Sequence, residues 1–306
     1  MRAMSRYLVG VAYSTAAIAL AAQWTAGKIA LASIPPFELA TMRFVIASAA
    51  LLSIALITRT PLPVRRWRPI AVAAAFGFFG FNALAFLGLR LTPASDSAII
   101  IPTTIPVATG LLATLVHEKL SSPRIVGFAI ASIGAAIVIA GGQQIGTELS
   151  TARLTGDLLE LASAISWAVC LTVSALVVRS ESVLGFVTLA SLFGTAFLFP
   201  FGFLEHGYGD VPAWTAASWL GLGILAVIST VVAFLIFFWA VRTFGPSRGA
   251  LISYLAPVAG LLLAFAVLGE RPLPLQLVGA VVVLVGVRLV VGRTAMVASS
   301  TRPSPA

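Results

Sequence analysis

The sequence predicts an all-α integral membrane protein with ten transmembrane helices, arranged as two inverted five-helix repeats around a central cavity. Three observations lead to this fold class. Apolar residues make up 59% of the chain and charged residues only 9%, whereas soluble domains carry roughly a quarter charged residues. Apolar runs of about 20 residues, the length that crosses a bilayer, follow one another along the sequence. The first half of the chain also recurs in the second half.

The apolar runs are the predicted spanning helices, five in each half. They cover residues 7–27, 37–57, 69–89, 95–116, 124–141, 156–177, 183–203, 216–241, 247–268 and 274–292. Proline and glycine occupy the breaks between them, as expected of turns. The predicted organisation is an N-terminus at 1–6, a first repeat at 7–141, a periplasmic connection at 142–155, a second repeat at 156–292 and a disordered tail at 293–306.

The first run also resembles a signal peptide, because basic residues precede it and small residues lie near its end. Residues 21–24 read Ala-Ala-Gln-Trp, however, and residues 164–167 in the sixth run read Ala-Ile-Ser-Trp. Cleavage would remove the opening helix of one repeat. We therefore expect the segment to be retained as the first spanning helix.

The internal repeat has an offset of about 152 residues. Pro106 and Pro257 are one residue out of step, so one half carries a small insertion or deletion. A repeat inside a membrane protein with many spans is typical of a transporter built from two related bundles. The residues that match include Arg90 with Arg242, Ser95 with Ser247, Glu118 with Glu270, Gly127 with Gly279 and Gly134 with Gly286.

The basic residues predict the orientation. With the N-terminus inside, the loops on the inner side hold fourteen Lys and Arg residues and the outer loops four; Arg43 lies within the second run. This bias predicts that both termini lie in the cytoplasm; the membrane expected for the protein is the cell inner membrane. Because each repeat holds an odd number of helices, the two repeats insert with opposite topology. The net charge of +9 is spread over short loops, which argues against nucleic-acid binding.

Two similar passages resemble the EamA family of the drug/metabolite transporter superfamily. One runs from Ile105-Pro106-Val107-Ala108 through Glu118-Lys119 to Gly127, and the other from Ala256-Pro257-Val258-Ala259 through Gly269-Glu270-Arg271 to Gly279. The resemblance covers residues 7–292. It implies two five-helix units and a transport activity, and the chain looks most like bacterial exporters of amino acids and related metabolites.

Polar and aromatic residues inside the runs are the candidate substrate ligands, because an unpartnered polar group in hydrocarbon is costly. Asn82 stands out, since a neutral amide donates to a carboxylate and accepts from an ammonium group. Aromatic faces accept apolar side chains and contact cations. The predicted substrate-binding residues are Gln23, Trp24, Phe78, Asn82, Thr103, Trp167, Ser253 and Tyr254.

Each candidate has a structural alternative. Ser and Thr in spanning helices often bond to backbone carbonyls, and Trp residues often serve packing or the membrane interface. The repeat-related Glu118 and Glu270 are predicted to fix helix corners, and the glycines spaced by seven to allow close helix packing.

The positions of the carboxylates in the predicted spans indicate whether transport is coupled to protons. Asp96 and Asp157 are predicted at helix ends, and only Glu160 about one turn inside a span. Without a clear mid-membrane carboxylate, facilitated export is favoured over proton coupling.

The predicted function is secondary transport that exports small metabolites, amino acids with aromatic or apolar side chains foremost, by alternating access. The alternative is a multidrug or nucleotide-sugar transporter of the same superfamily; a channel also stays open. An intramembrane enzyme is disfavoured because the histidines, His117 and His206, lie near loops. No cofactor is predicted. The expected partners are a small-molecule substrate and the lipid bilayer, and a monomer is one option for the oligomeric state.

Overall fold

The computed structural model describes residues 6–115, 122–142, 150–244 and 256–292. Within these ranges the regular elements are all helical. The α-helices are α1 (Arg6–Ala30), α2 (Pro36–Ile57), α3 (Trp67–Ala74), α4 (Phe81–Leu91), α5 (Ala94–Leu115), α6 (Ser122–Gly142), α7 (Thr151–Val178), α8 (Val183–His206), α9 (Ala216–Gly223), α10 (Ala233–Phe244), α11 (Ala256–Leu268) and α12 (Pro274–Gly292).

The predicted spans agree with these helices to within a few residues at most ends. The main difference is α7, which begins at Thr151 rather than at residue 156. Ser150 caps its first turn, because the Ser150 side chain accepts a hydrogen bond from the Arg153 backbone N–H. The prediction that Asp157 lies at a helix end is therefore wrong, and Glu160 lies about two and a half turns into the helix rather than one. Of the predicted run 247–268, the structure describes the part from Ala256.

Six helical stretches in the described part of the chain are long and apolar enough to cross a membrane. This confirms the class of multi-span helical membrane protein. The total of ten spans and the inverted relation of the two halves stay predictions. The six stretches are Pro36–Ile57, Val64–Leu91, Ala94–Leu112, Thr151–Val178, Val183–His206 and Ala216–Thr243.

Two of these stretches contain a π-helical segment, in which the backbone makes wider turns than an α-helix. The first, Ala75–Gly80, joins α3 to α4, and the second, Ile224–Val232, joins α9 to α10. The sequence offset of 152 carries residues 75–80 onto 227–232, which lie inside the second segment. Such segments are rare and frequently lie at functional sites.

Side chains bond to carbonyl groups of both π-helical segments. The Asn82 amide nitrogen donates to the carbonyl oxygens of Gly77 (3.1 Å) and Phe78 (3.0 Å). The Thr230 hydroxyl donates to the carbonyl oxygen of Leu225 at 2.8 Å. Ser166 on α7 donates to the carbonyl oxygen of Phe76. Polar side chains thus bond to the backbone where the helical pattern changes.

Glycines allow the closest helix contact, between α6 and α12. A Cβ atom on Gly134 would lie 2.6 Å from the Val283 backbone nitrogen and 2.9 Å from the Gly279 carbonyl oxygen. A Cβ atom on Gly279 would lie 2.8 Å from the Val138 nitrogen. The predicted packing role of these two glycines is confirmed.

Carboxylates cap two helices from distant parts of the chain. The two oxygens of Glu270 accept from the backbone N–H groups of Ala94 and Ser95 at the start of α5. Glu205, at the end of α8, accepts from the N–H groups of Phe37 and Glu38 at the start of α2. The corner-fixing role predicted for Glu270 is confirmed; Glu118 lies outside the described residues.

Candidate substrate-binding site

A small cavity of about 40 Å³ lies among α1, α4, α5, α7, α10 and the start of α11. A water molecule needs roughly 10–15 Å³ by this measure, so the cavity has room for only a few waters. The cavity is too small for a metabolite, so binding one requires the lining helices to move apart. The lining residues are Leu20, Gln23, Trp24, Phe81, Ile101, Pro102, Ile105, Trp167, Phe234, Phe237 and Ala256.

Aromatic rings form much of the cavity wall. The Trp167 ring centroid lies 5.0 Å from that of Phe81, 5.2 Å from that of Phe234 and 6.2 Å from that of Phe237. Trp24 meets Phe81 edge-on at 6.3 Å. These distances are typical of favourable aromatic pairs. The wall therefore suits an apolar or aromatic group.

Gln23 and Trp24 contribute polar side-chain groups to the described cavity wall. The Trp24 side chain is 2% exposed, and its Nε1–H group has no hydrogen-bond partner in the described structure. The Gln23 Oε1 atom accepts a long hydrogen bond, 3.5 Å, from the Nη2 group of Arg43. None of the described lining residues carries a charge.

Arg43 lies behind this wall, roughly 10 Å along α2 from its first residue, and is 1% exposed. Its Nε donates to the Thr230 hydroxyl at 2.7 Å and its Nη1 to the Asn82 Oδ1 at 2.8 Å. No carboxylate in the described part of the chain lies within ion-pair distance of the guanidinium group. The sequence signal for this residue was a lone charge within an apolar run, but its partners were not foreseen.

The rings around Arg43 contribute to its environment. The guanidinium carbon lies 5.5 Å from the Phe44 ring centroid, 5.9 Å from that of Phe86 and 5.8 Å from that of Phe234. These distances lie within cation–π range. Phe234 also lines the cavity, so this ring and Gln23 connect the buried cation to the cavity wall.

The structure brings three of the predicted ligands, Gln23, Trp24 and Trp167, to one cavity. Phe78 is buried next to it, with its ring centroid 5.7 Å from that of Phe234. Asn82 does not line the cavity, and both halves of its amide bond to protein groups. Direct contact of these five residues with substrate stays a prediction.

Thr103 lies elsewhere. It lines a separate depression of about 280 Å³ among α5, α6 and α7. Its hydroxyl donates to the backbone carbonyl oxygens of Ile99 and Ile100, which is the structural alternative expected for a threonine in a span. Its role in substrate binding is untested. Ser253 and Tyr254 lie outside the described residues.

A second polar region near the start of α5 involves α1, α4, α5, α7 and α12. Asp96 forms an ion pair with Arg153 at 2.7 Å and accepts from the Gln276 side chain at 2.6 Å. Lys28 donates to the carbonyl oxygens of Leu89 and Thr92. These contacts connect α1 with α4, and α5 with α7 and α12, at one end of the bundle.

Two more carboxyl groups are buried in this region. One oxygen of Asp157 accepts from the Thr92 hydroxyl at 2.7 Å, and one oxygen of Glu160 accepts from the Ser97 hydroxyl at 2.6 Å. The second oxygen of each has no partner in the described structure. Carboxyl groups buried within a span are candidates for ion coupling, and sequence reasoning placed only Glu160 in this class.

The sequence model of the EamA-like transporter family matches residues 10–140 and 154–292. The chain belongs to this family. The two matched EamA-like segments cover nearly the whole chain, as the resemblance of the two passages implies. Gln23 and Phe81 come from the first segment and Trp167 and Phe234 from the second, so the cavity lies between the two EamA-like segments.

Several EamA-like relatives are similar over most of their length. A probable terminal-alkyne amino-acid exporter of Streptantibioticus cattleyicolor is 30% identical, covering 84% of each chain. A probable amino-acid metabolite efflux pump of Salmonella typhimurium is 27% identical over 85% of this chain and 86% of its own. A Bacillus subtilis protein named as the uncharacterized transporter YyaM is 27% identical, and the match covers 92% of this chain and 90% of that protein.

Solved structures also match the fold, among them a crystal structure. It has a TM-score of 0.66 at 22% identity, and the match covers 97% of this chain and 100% of the other. At this identity the match shows the fold alone. The architecture of this EamA-like chain is thus shared with a known structure, while its substrate has to be argued from its own residues.

Proposed function

We propose that this protein is a secondary transporter that exports small metabolites across the cell inner membrane, amino acids with apolar or aromatic side chains foremost. The transport proceeds by alternating access of two inverted five-helix units. Both termini lie in the cytoplasm, as the distribution of basic residues favours. Membership of the EamA-like family supports transport itself.

One observation carries the substrate class: the cavity between the two EamA-like segments has an aromatic wall and uncharged polar groups. Trp167, Phe234 and Phe237 accommodate an apolar or aromatic side chain. The Gln23 amide and the Trp24 N–H group provide hydrogen-bonding capacity for the polar end of a small molecule. Sites of this kind, mostly apolar with a few placed polar groups, are typical of small-molecule binding.

The names of two relatives support the same substrate class. These two, from Streptantibioticus cattleyicolor and Salmonella typhimurium, are named as a probable exporter or efflux pump for amino acids or their metabolites. Each shares about a quarter to a third of its residues with this chain over more than four fifths of its length. Such similarity favours amino-acid export without fixing the particular amino acid.

The alternative substrates fit the cavity less well. A lipophilic cation has no carboxylate among the described lining residues, and the buried Arg43 charge nearby repels it. A nucleotide sugar calls for several basic groups, yet Lys28 bonds to backbone carbonyls in the second polar region. An apolar amino acid carries no net charge, so it requires neither a counter-ion for a net cation nor several basic groups.

Flux through purified protein in liposomes tests the proposal. The labelled panel comprises L-phenylalanine, L-leucine, L-lysine, L-glutamate, a nucleotide sugar and a lipophilic cation, first without any ion gradient. We expect saturable flux of L-phenylalanine and L-leucine. Flux of the cation or the nucleotide sugar alone contradicts the proposed substrate class. Amino-acid flux that appears only under a pH step indicates proton coupling, and Glu160→Gln then separates coupled from uncoupled movement.

A further inference from the structure

Arg43 carries a charge that the described protein groups do not neutralise. Its three hydrogen-bond partners, Thr230, Asn82 and Gln23, are all neutral. Arginine keeps its charge in proteins, and a buried cation without a carboxylate is costly even with aromatic rings beside it. A bound anion would remove this cost.

The geometry indicates where the anion binds. A guanidinium group has five N–H donors, and two of the three observed hydrogen bonds, to Thr230 and Asn82, are short. The third, from Nη2 to the Gln23 Oε1, is 3.5 Å long, which is the outer limit of a hydrogen bond. Gln23 lines the cavity. The Nη2 group, which makes the longest of the three hydrogen bonds, is therefore the part of the guanidinium group that is linked to the cavity wall.

A second donor at the cavity is independent of Arg43. The Trp24 Nε1–H group is buried and has no partner in the described structure, and Trp24 lines the same cavity. A buried donor without an acceptor is destabilising. An acceptor on a bound molecule would satisfy it. The carboxylate is the anion that suits one cationic and one neutral donor beside an aromatic wall.

We infer that the cavity binds the carboxylate of the substrate through Arg43 Nη2 and Trp24 Nε1, with Gln23 giving up its weak bond to Arg43. The substrate class is a monocarboxylic acid with an apolar or aromatic body. The amino group is not required, because the described lining residues include no carboxylate to receive it. This inference rests on the proposed transport function and adds that the acid group, rather than the amine, is recognised.

Three related probes test the inference by binding. Purified protein is titrated with 3-phenylpropionate, its uncharged amide 3-phenylpropionamide, and phenethylamine, and tryptophan fluorescence is recorded. We expect saturable binding of 3-phenylpropionate and at least about tenfold weaker binding of the other two, as for loss of a charged hydrogen bond. Equal affinity for the acid and the amide, or no binding of the acid, overturns the inference.

Substitutions at the two donors locate the site. Arg43→Met is expected to weaken 3-phenylpropionate binding about ten- to hundredfold, and Arg43→Lys to retain part of the preference for the acid. Trp24→Phe keeps a ring but removes the N–H group, and is expected to weaken acid binding about fivefold. The matched control is Trp214→Phe, which removes another buried indole N–H without a partner, at a position that does not line the cavity; binding should not change.

The results distinguish acid binding by Arg43 from a purely structural role of this residue. If Arg43→Met does not fold, as judged by size-exclusion chromatography, Arg43→Lys and Trp24→Phe decide the question. A reduced preference of Arg43→Lys for acid over amide, together with weaker acid binding by Trp24→Phe, supports the site, whereas acid binding unchanged in both variants overturns it. Amino-acid flux without any acid preference overturns this inference alone. Arg43-dependent acid binding without amino-acid flux overturns the proposed transport of amino acids alone.

Discussion

At the scale of single residues, the centre of the molecule is held by side chains that bond to groups far away in the sequence. Arg43 reaches Thr230, which belongs to the second π-helical segment, and Asn82, which follows the first. Asn82 in turn binds backbone carbonyls of that first segment. One buried cation therefore joins the two EamA-like segments at their two irregular helices.

Replacement of Asn82 by alanine is expected to destabilise the protein. The change leaves Arg43 Nη1 without its acceptor and removes the side-chain donor to two carbonyl groups, which should lower the free energy of unfolding by about 2 kcal/mol or more. Thermal unfolding in detergent measures this effect. Ser53→Ala is the control, since the exposed Ser53 hydroxyl bonds only to the Ala49 carbonyl one turn earlier. Equal shifts for the two variants would contradict the role of Asn82.

Replacement of Trp167 by leucine is expected to alter selectivity. Aromatic pairs contribute about 0.5–1.5 kcal/mol beyond their buried area, so the preference for L-phenylalanine over L-leucine should fall about two- to tenfold. Competition between the two amino acids in the liposome assay measures it. Trp219→Leu, at a half-exposed tryptophan away from the cavity, should leave the preference unchanged; a matching fall there would argue against a contact between Trp167 and substrate.

The sequence predicted several residues of the candidate site but not the residues to which they bond. Gln23, Trp24 and Trp167 were predicted for the site because polar and aromatic groups are conspicuous in apolar runs, and the structure places them at one cavity. Arg43 was seen only as a charge in the second run. Its bond to Thr230 joins residues 187 positions apart, and no local pattern encodes such a pairing.

At the scale of helices, glycine determines the closest contact. Gly134→Ala places a Cβ atom against backbone atoms of α12 that cannot move independently. Overpacking of this kind costs about 1–3 kcal/mol, so the thermal midpoint in detergent should fall. Gly223→Ala is the matched control, because nothing lies within 4 Å of its Cβ position. The control should be neutral or stabilising by about 0.5–1 kcal/mol. A stable Gly134→Ala variant would refute the close contact.

Most helices were predictable, but their irregularities were not. Apolar runs and the prolines between them gave the spans, since length and hydropathy alone identify a helix that crosses a bilayer. The early start of α7 depends on a single cap by Ser150. The two π-helical segments have no characteristic composition, and the side chains that bond to their carbonyl groups, Asn82 and Thr230, are not distinguished by any local pattern.

At the scale of the molecule, the described helices of the two EamA-like segments pack around the small cavity. The cavity between them is too small for a metabolite. Helix-capping carboxylates and the Asp96 ion pair tie the helices together at one end of the bundle. The proposed alternating access would require this end to open. Arg43 links the two segments beside the candidate cavity, so the proposed binding of a carboxylate there would change a contact between them.

Exchange of substrate across the membrane tests the proposed carrier mechanism. Liposomes containing the purified protein are loaded with unlabelled L-phenylalanine, and the initial uptake of labelled L-phenylalanine is compared with that of empty liposomes. In a carrier, the binding site faces one side of the membrane at a time, and it reorients faster with substrate bound than empty. Internal L-phenylalanine should therefore accelerate uptake severalfold. Uptake that rises linearly with concentration and is indifferent to the internal amino acid would instead indicate a channel and contradict the proposed mechanism.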